Sequence, residues 1–139
     1  MHGAMASVKR GNMAHEPSAQ APSLAELTAR LIAFRDARDW AQFHTLKNLL
    51  LSLSLEAAEA LEVAQWKTDE ELEALLAAGD EALLARLEEE CADVLLYLLL
   101  IAEKAGFDLA RAAARKIELN AAKYPVEKAR GRADKYHDL

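Results

Sequence analysis

The chain has 139 residues, a formal net charge of −6 and 53% apolar residues. That length suits one domain, the acidic balance argues against a nucleic-acid polymer as the main ligand, and no run approaches the about 20 consecutive apolar residues of a membrane span. The apolar share exceeds what a small helical monomer needs, which predicts self-association. The single cysteine rules out an internal disulfide and fits a cytoplasmic location.

Alanine, leucine, glutamate, lysine and arginine dominate, while glycine (5) and proline (3) are scarce, so the expected fold is all-α. Residues 1–22 lack the apolar core of a secretory signal and read as a disordered leader ahead of a helical domain over residues 23–125. Ser23-Leu24-Ala25-Glu26 is a capping box that opens a first helix at Leu24. Leu24, Leu27, Leu31 and Phe34 then recur at helical spacing, and the helix should fade near Asp39. Residues 40–44 form a connection carrying Trp40, Phe43 and His44, after which Thr45 caps a second helix to about Trp66.

Thr68-Asp69-Glu70-Glu71 is a second capping box and opens a short connecting helix that ends at Gly79. Asp80 caps the next helix, which stops at Gly106. Residues 94–101 alone would suit a buried strand, but strong helix formers on both sides decide for helix. Asp108 caps a last long helix that ends near Tyr124, because Pro125 disfavours helical geometry in the residue before it. Residues 126–139 are polar and mixed in charge, and read as a mobile tail. The expectation is a bundle of four main helices plus one short connecting helix.

Two carboxylate pairs, Glu56/Glu59 and Glu90/Asp93, lie beside the most apolar stretches. Residues three apart share a helix face, so each pair points one way, and two pairs on neighbouring helices would form an oxygen-lined cage suited to Mg²⁺ or Mn²⁺. Acids beside apolar surface are costly to bury without such compensation. The bland reading is a solvated face, and periodicity leaves both open. A di-iron bundle would want Glu-x-x-His on two helices, which neither pair supplies.

Trp40, Trp66 and Tyr97 can pack at a core edge or wall a nucleobase pocket. Tyr97 is one helical turn past Asp93. Lys116, Asn120, Lys123 and Tyr124 form a polar stripe on the last long helix, which is either its wet side or a phosphate-facing surface. Cys91 reads as a small buried side chain rather than a nucleophile.

The run Arg38-Asp39-Trp40-Ala41-Gln42-Phe43-His44, followed by Lys47-Asn48-Leu49-Leu50-Leu51, Glu56-Ala57-Ala58-Glu59 and Gln65-Trp66-Lys67, resembles the MazG-like nucleotide pyrophosphohydrolases. Glu90-Cys91-Ala92-Asp93-Val94-Leu95-Leu96-Tyr97 resembles their second metal motif, and Lys116, Asn120 and Lys123-Tyr124-Pro125 their closing segment. Within that group the chain is most similar to the dCTP pyrophosphatases. The resemblance implies an all-α fold assembled as a dimer or a dimer of dimers, with sites completed by more than one subunit. It also implies hydrolysis of a deoxynucleoside triphosphate to the monophosphate and pyrophosphate, in the service of nucleotide-pool cleansing.

By position, the resemblance implies that Glu56, Glu59, Glu90 and Asp93 hold Mg²⁺, with Mn²⁺ as a substitute. Trp40, His44, Trp66 and Tyr97 would line the base and sugar pocket. Lys47, Asn48, Lys116, Asn120, Lys123 and Tyr124 would complete substrate binding. Glu59 is the first choice to take a proton from water, and Glu62, off the face of Glu56, the second. Leu55 and Ala58 stand where the family commonly has glycine. Leu31 stands at a pocket position, which leaves the preferred base open. The alternatives are dUTP or broad deoxynucleotide hydrolysis, or a non-catalytic helical interaction module.

Overall fold

Short polar side chains start every long helix. Ser23, Thr45, Thr68, Asp80 and Asp108 each accept a hydrogen bond from the backbone N–H three residues on. Each bond satisfies a donor that the first turn leaves open and contributes about 1 kcal/mol. At Ser23 and Thr68 the acid three positions later also binds back to the cap's own N–H, so both expected capping boxes form.

The computed structural model describes residues 20–133. The elements are α1 (Leu24–Asp36), a 3-10 turn (Trp40–Phe43), α2 (Leu46–Glu62), α3 (Asp69–Ala78), α4 (Glu81–Ala105), α5 (Leu109–Lys123) and the single-turn α6 (Val126–Ala129). No strand occurs among the described residues, so the all-α expectation holds. No helix among them is long and apolar enough to cross a membrane. Most of the expected leader, residues 1–19, lies outside the described residues, as do residues 134–139 of the expected tail.

Several boundaries differ from expectation for local reasons. Helix α1 stops at Asp36 rather than near Asp39, because Asp39 takes a left-handed conformation at φ 55° and turns the chain into the 3-10 turn. Helix α2 stops at Glu62 rather than Trp66. Beyond it the backbone tightens to three-residue bonds, Ala64 N–H to the Leu61 carbonyl and Lys67 N–H to the Ala64 carbonyl, and the Lys67 ammonium donates to the Val63 carbonyl. The stretch expected to be tail begins with α6, which Pro125 can precede because proline suits a helix start.

The dominant packing is α2 against α4, with α1 laid on α4 beside it. Leu49 near the start of α2 meets Leu100 and Ile101 near the end of α4, while Glu56 farther along α2 meets Glu90 and Asp93 farther back on α4. The two helices are therefore antiparallel. Leu49 is 2% exposed, and Leu31, Leu53 and Tyr97 pack around that cluster. Arg35 on α1 adds a polar tie, with its guanidinium 2.7 Å from Asp36 and 3.2 Å from Glu103 on α4. Gly106 ends α4 in the left-handed conformation at φ 76°, which lets the Phe107 N–H reach back to the Ala102 carbonyl and turn the chain into α5.

Much apolar surface stays outside this core. Leu50, Leu51, Leu55 and Leu61 on α2, and Ile117 and Leu119 on α5, are exposed. Helix α5 touches α4 only slightly; Leu109 and Ala112 near its start are partly buried, and residues 113–123 are exposed. Cys91 is also exposed among the described residues, contrary to expectation.

Candidate functional site

Packing of α2 on α4 brings together acids from both expected pairs. One carboxylate oxygen each from Glu56, Glu90 and Asp93 lies within 4.8 Å of the others, and all three residues are partly buried. Among the described residues no lysine, arginine or histidine forms an ion pair with any of them. The Glu56 carboxyl is held above its ordinary range, chiefly by burial and then by the negative charge of Glu59, Asp93 and Glu90. Three hard oxygen donors with unbalanced charge fit a divalent cation of the Mg²⁺ or Mn²⁺ kind.

Glu59 lies outside that group of three and is exposed, although its charge is felt at Glu56. A step of three residues rotates a side chain by about 60° around the helix axis, so α2 can aim Glu56 at α4 and leave Glu59 on the rim. Glu62, one turn further, is exposed as well.

One helical turn past Asp93, Tyr97 belongs to a small apolar depression of about 160 Å³ between α1, the 3-10 turn and α4. Leu31, Phe34, Arg35, Trp40, His44, Leu96 and Leu100 complete its wall. Trp40 meets Phe34 edge-on, with ring centroids 5.8 Å apart and planes at 78°. A second depression of about 260 Å³ shares Arg35, His44 and Leu100 with the first and adds Glu103 and Lys104. Between the two, the His44 Nδ1 is buried without a hydrogen-bond partner. Burial holds the His44 imidazole below its ordinary value, and Arg35 and Lys104 act the same way, while Glu103 opposes them. A neutral ring with an open nitrogen can offer one hydrogen bond to a molecule entering the depression.

Other expected site residues fall elsewhere. Trp66 is 87% exposed in the turn after α2 and does not line the depression with Trp40 and Tyr97. The Asn48 side chain donates to the Phe43 carbonyl at 3.0 Å, which fastens the 3-10 turn to α2, and Lys47 is exposed. Lys116, Asn120, Lys123 and Tyr124 are exposed on and just beyond α5. Sequence reasoning missed Phe34, Arg35 and Leu96 in the wall of the depression, and Arg38, which lies over the Phe34 ring. The signal for two of them was present: Phe34 and Arg38 are an aromatic and a cation one turn apart, beside Trp40.

Comparison with known proteins adds an independent line. The model of the MazG-like family matches residues 51–139. The chain is 40% identical over 137 residues to dCTP pyrophosphatase 1 of Rattus norvegicus, covering 93% of this chain and 79% of the rat protein. It is 39% identical over 118 residues to dCTP pyrophosphatase 1 of Homo sapiens, covering 85% of this chain and 68% of the human one. Among solved structures, a pyrophosphatase from Archaeoglobus fulgidus DSM 4304 superposes with a TM-score of 0.66 at 42% identity, over 79% of this chain and 99% of that chain.

Proposed function

The chain belongs to the MazG-like family, and on that premise we propose that it is a Mg²⁺-dependent nucleoside triphosphate pyrophosphohydrolase favouring dCTP or a modified cytosine deoxynucleotide. The observation that carries the reading is the meeting of Glu56, Glu90 and Asp93 beside the Trp40/Tyr97 depression. An acid cluster one helical turn from a small, largely apolar depression walled by Trp40 and Tyr97 suits a molecule that is phosphate at one end and an aromatic ring at the other. The dCTP preference rests on the relatives' names and identity.

Glu56, Glu90 and Asp93 would hold the cation, with Glu59 closing the cage from the rim. A bound Mg²⁺, or Mn²⁺ in its place, supplies acidification of water and offsets charge on the phosphates. Glu59 takes the proton of the water that attacks the α-phosphorus, and Glu62 is the alternative acceptor. As the new P–O bond forms, the bond from the α-phosphorus to the bridging oxygen breaks, and pyrophosphate leaves. Trp40 and Tyr97 flank the base, and the His44 imidazole offers it a polar contact. Lys47 and Asn48, at the start of α2, complete the sugar end, and Trp66, beyond the other end of that helix, joins it from a second copy of the chain.

A second copy of the chain covers the exposed leucines of α2 and the apolar side of α5, and it brings Lys116, Asn120, Lys123 and Tyr124 to the phosphates. The support is the exposure of Leu55, Leu61, Ile117 and Leu119, apolar side chains that a covering copy would take out of water. A role in clearing unwanted deoxynucleotides would suit this activity, and the single cysteine suits a reducing compartment such as the cytoplasm.

The direct test is pyrophosphate release with Mg²⁺ across dCTP, 5-methyl-dCTP, dUTP, dATP and ribonucleotides, compared by kcat/KM. Metal-dependent release led by the cytosine deoxynucleotides supports the reading. Equal rates on all deoxynucleotides would replace it with broad hydrolysis, and no release from any would leave a non-catalytic helical module. Light scattering of the wild type and of Leu61→Glu tests the assembly.

A further inference from the structure

We propose that Arg38 is a positioning residue that holds Trp40 as a preset wall of the base slot, acting together with Phe34. The proposal rests on the nucleotide reading of the Trp40/Tyr97 depression. Trp40 sits on a four-residue 3-10 turn with no buried residue, and the residue is 45% exposed, so the turn alone gives it little to lean on. What holds it is a three-part stack. The Arg38 guanidinium lies 3.6 Å from the centre of the Phe34 ring and 5.9 Å from that of Trp40, and Phe34 meets Trp40 edge-on.

The guanidinium is itself fixed. Its Nη1 donates to the Phe34 carbonyl at 2.9 Å, which ties the cation to the last turn of α1. Asp39 then turns sharply at φ 55°, and the Gln42 amide bonds both its carbonyl and its carboxylate at 2.9 Å. Aspartate tolerates this left-handed conformation better than most side chains, and the Gln42 bonds keep it in place. The bend delivers the Trp40 ring to the mouth of the depression. A slot whose wall is already in place binds a flat base without first having to order it, so apparent affinity depends on how much of the time the wall is set.

The effect belongs in KM rather than kcat, because Arg38 lines neither depression and is not part of the acid cluster. Arg38→Ala is expected to raise KM for the best deoxynucleotide about five-fold with kcat changed less than about two-fold. Arg38→Met keeps the aliphatic stem and should behave like Arg38→Ala. Arg38→Lys keeps a cation over the ring and should recover part of the loss. In a Trp66→Phe background, where Trp40 is the only tryptophan, acrylamide quenching should rise on adding Arg38→Ala and fall back in part with Arg38→Lys.

Wild-type KM in Arg38→Met, or unchanged quenching and KM in Arg38→Ala, would overturn the proposal. Should Arg38→Ala fail to fold, the Lys and Met variants carry the same comparison. Trp40→Ala separates the two ideas. If it leaves KM unchanged, the nucleotide slot itself is misplaced; if it raises KM while the Arg38 variants do not, only the positioning role fails.

Discussion

Glu56 on α2 and Asp93 on α4 face each other across antiparallel helices with carboxylate oxygens within 4.8 Å, and Glu90 shares the same space. Burial, and then the negative charge of Glu59, Asp93 and Glu90, hold the Glu56 carboxyl above its ordinary range. A carboxyl with a raised folded pKa favours folding at low pH and loses that contribution as pH rises through the folded value. Ionised Glu56 therefore adds less to stability at pH 7 than protonated Glu56 does at low pH. Glu56→Gln should melt higher than wild type in EDTA, yet gain nothing from Mg²⁺. Wild type should gain about 2.7 kcal/mol at a hundred-fold excess of ion over its Kd. Calorimetry with and without MgCl₂ checks both signs.

Glu59 and Glu62 are separable by chemistry rather than by stability, since both are exposed. Glu59→Gln is expected to lower kcat about 100-fold or more, the loss typical of a missing general base. Glu62→Gln should change kcat less than about three-fold. Reversal of that order in steady-state pyrophosphate release would exchange their roles. Circular dichroism on both variants controls for folding.

His44 gives a second pH signature with the opposite sign. Its imidazole is held below 6.5 by burial and by the positive charge of Arg35 and Lys104. The unfolded chain then binds the proton more readily, so stability is complete above pH 6.5 and declines as pH falls toward the folded value. His44→Phe should flatten this decline. Denaturant midpoints measured from pH 8 to pH 5 show whether it does.

Leu49 is the most buried large side chain and joins α2 to α4 beside Leu100 and Ile101. Leu49→Ala should cost about 2–5 kcal/mol. It should also weaken Mg²⁺ binding, because the same helix contact sets the distance from Glu56 to Asp93. A variant that loses stability but keeps wild-type metal affinity in a calorimetric titration would show that the acids are positioned independently of this core.

The local punctuation of the fold was legible in the residues. Ser23, Thr45, Thr68, Asp80 and Asp108 are caps whose effect needs only the next three positions, and all five cap helices. The acid pairs were legible as helix faces. Which member of the first pair points inward was not, because rotation of α2 is set by Leu49 and Leu53 packing against the far end of α4. The bend at Asp39 was hidden for a different reason: aspartate permits a left-handed conformation without demanding it. Exposure of Cys91 and of α5 depends on which helices lie alongside, and sequence periodicity does not specify neighbours.

The exposed Cys91 has a practical consequence. It is the chain's only thiol and the immediate neighbour of Glu90, so a maleimide reagent places one probe per chain beside the acid cluster with no engineered attachment point. A trifluoromethyl tag there would report ion arrival by nuclear magnetic resonance, since Mn²⁺ held by Glu90 and Asp93 would broaden the fluorine line while Mg²⁺ would only shift it. The protein thus carries its own spectroscopic window onto the carboxylates.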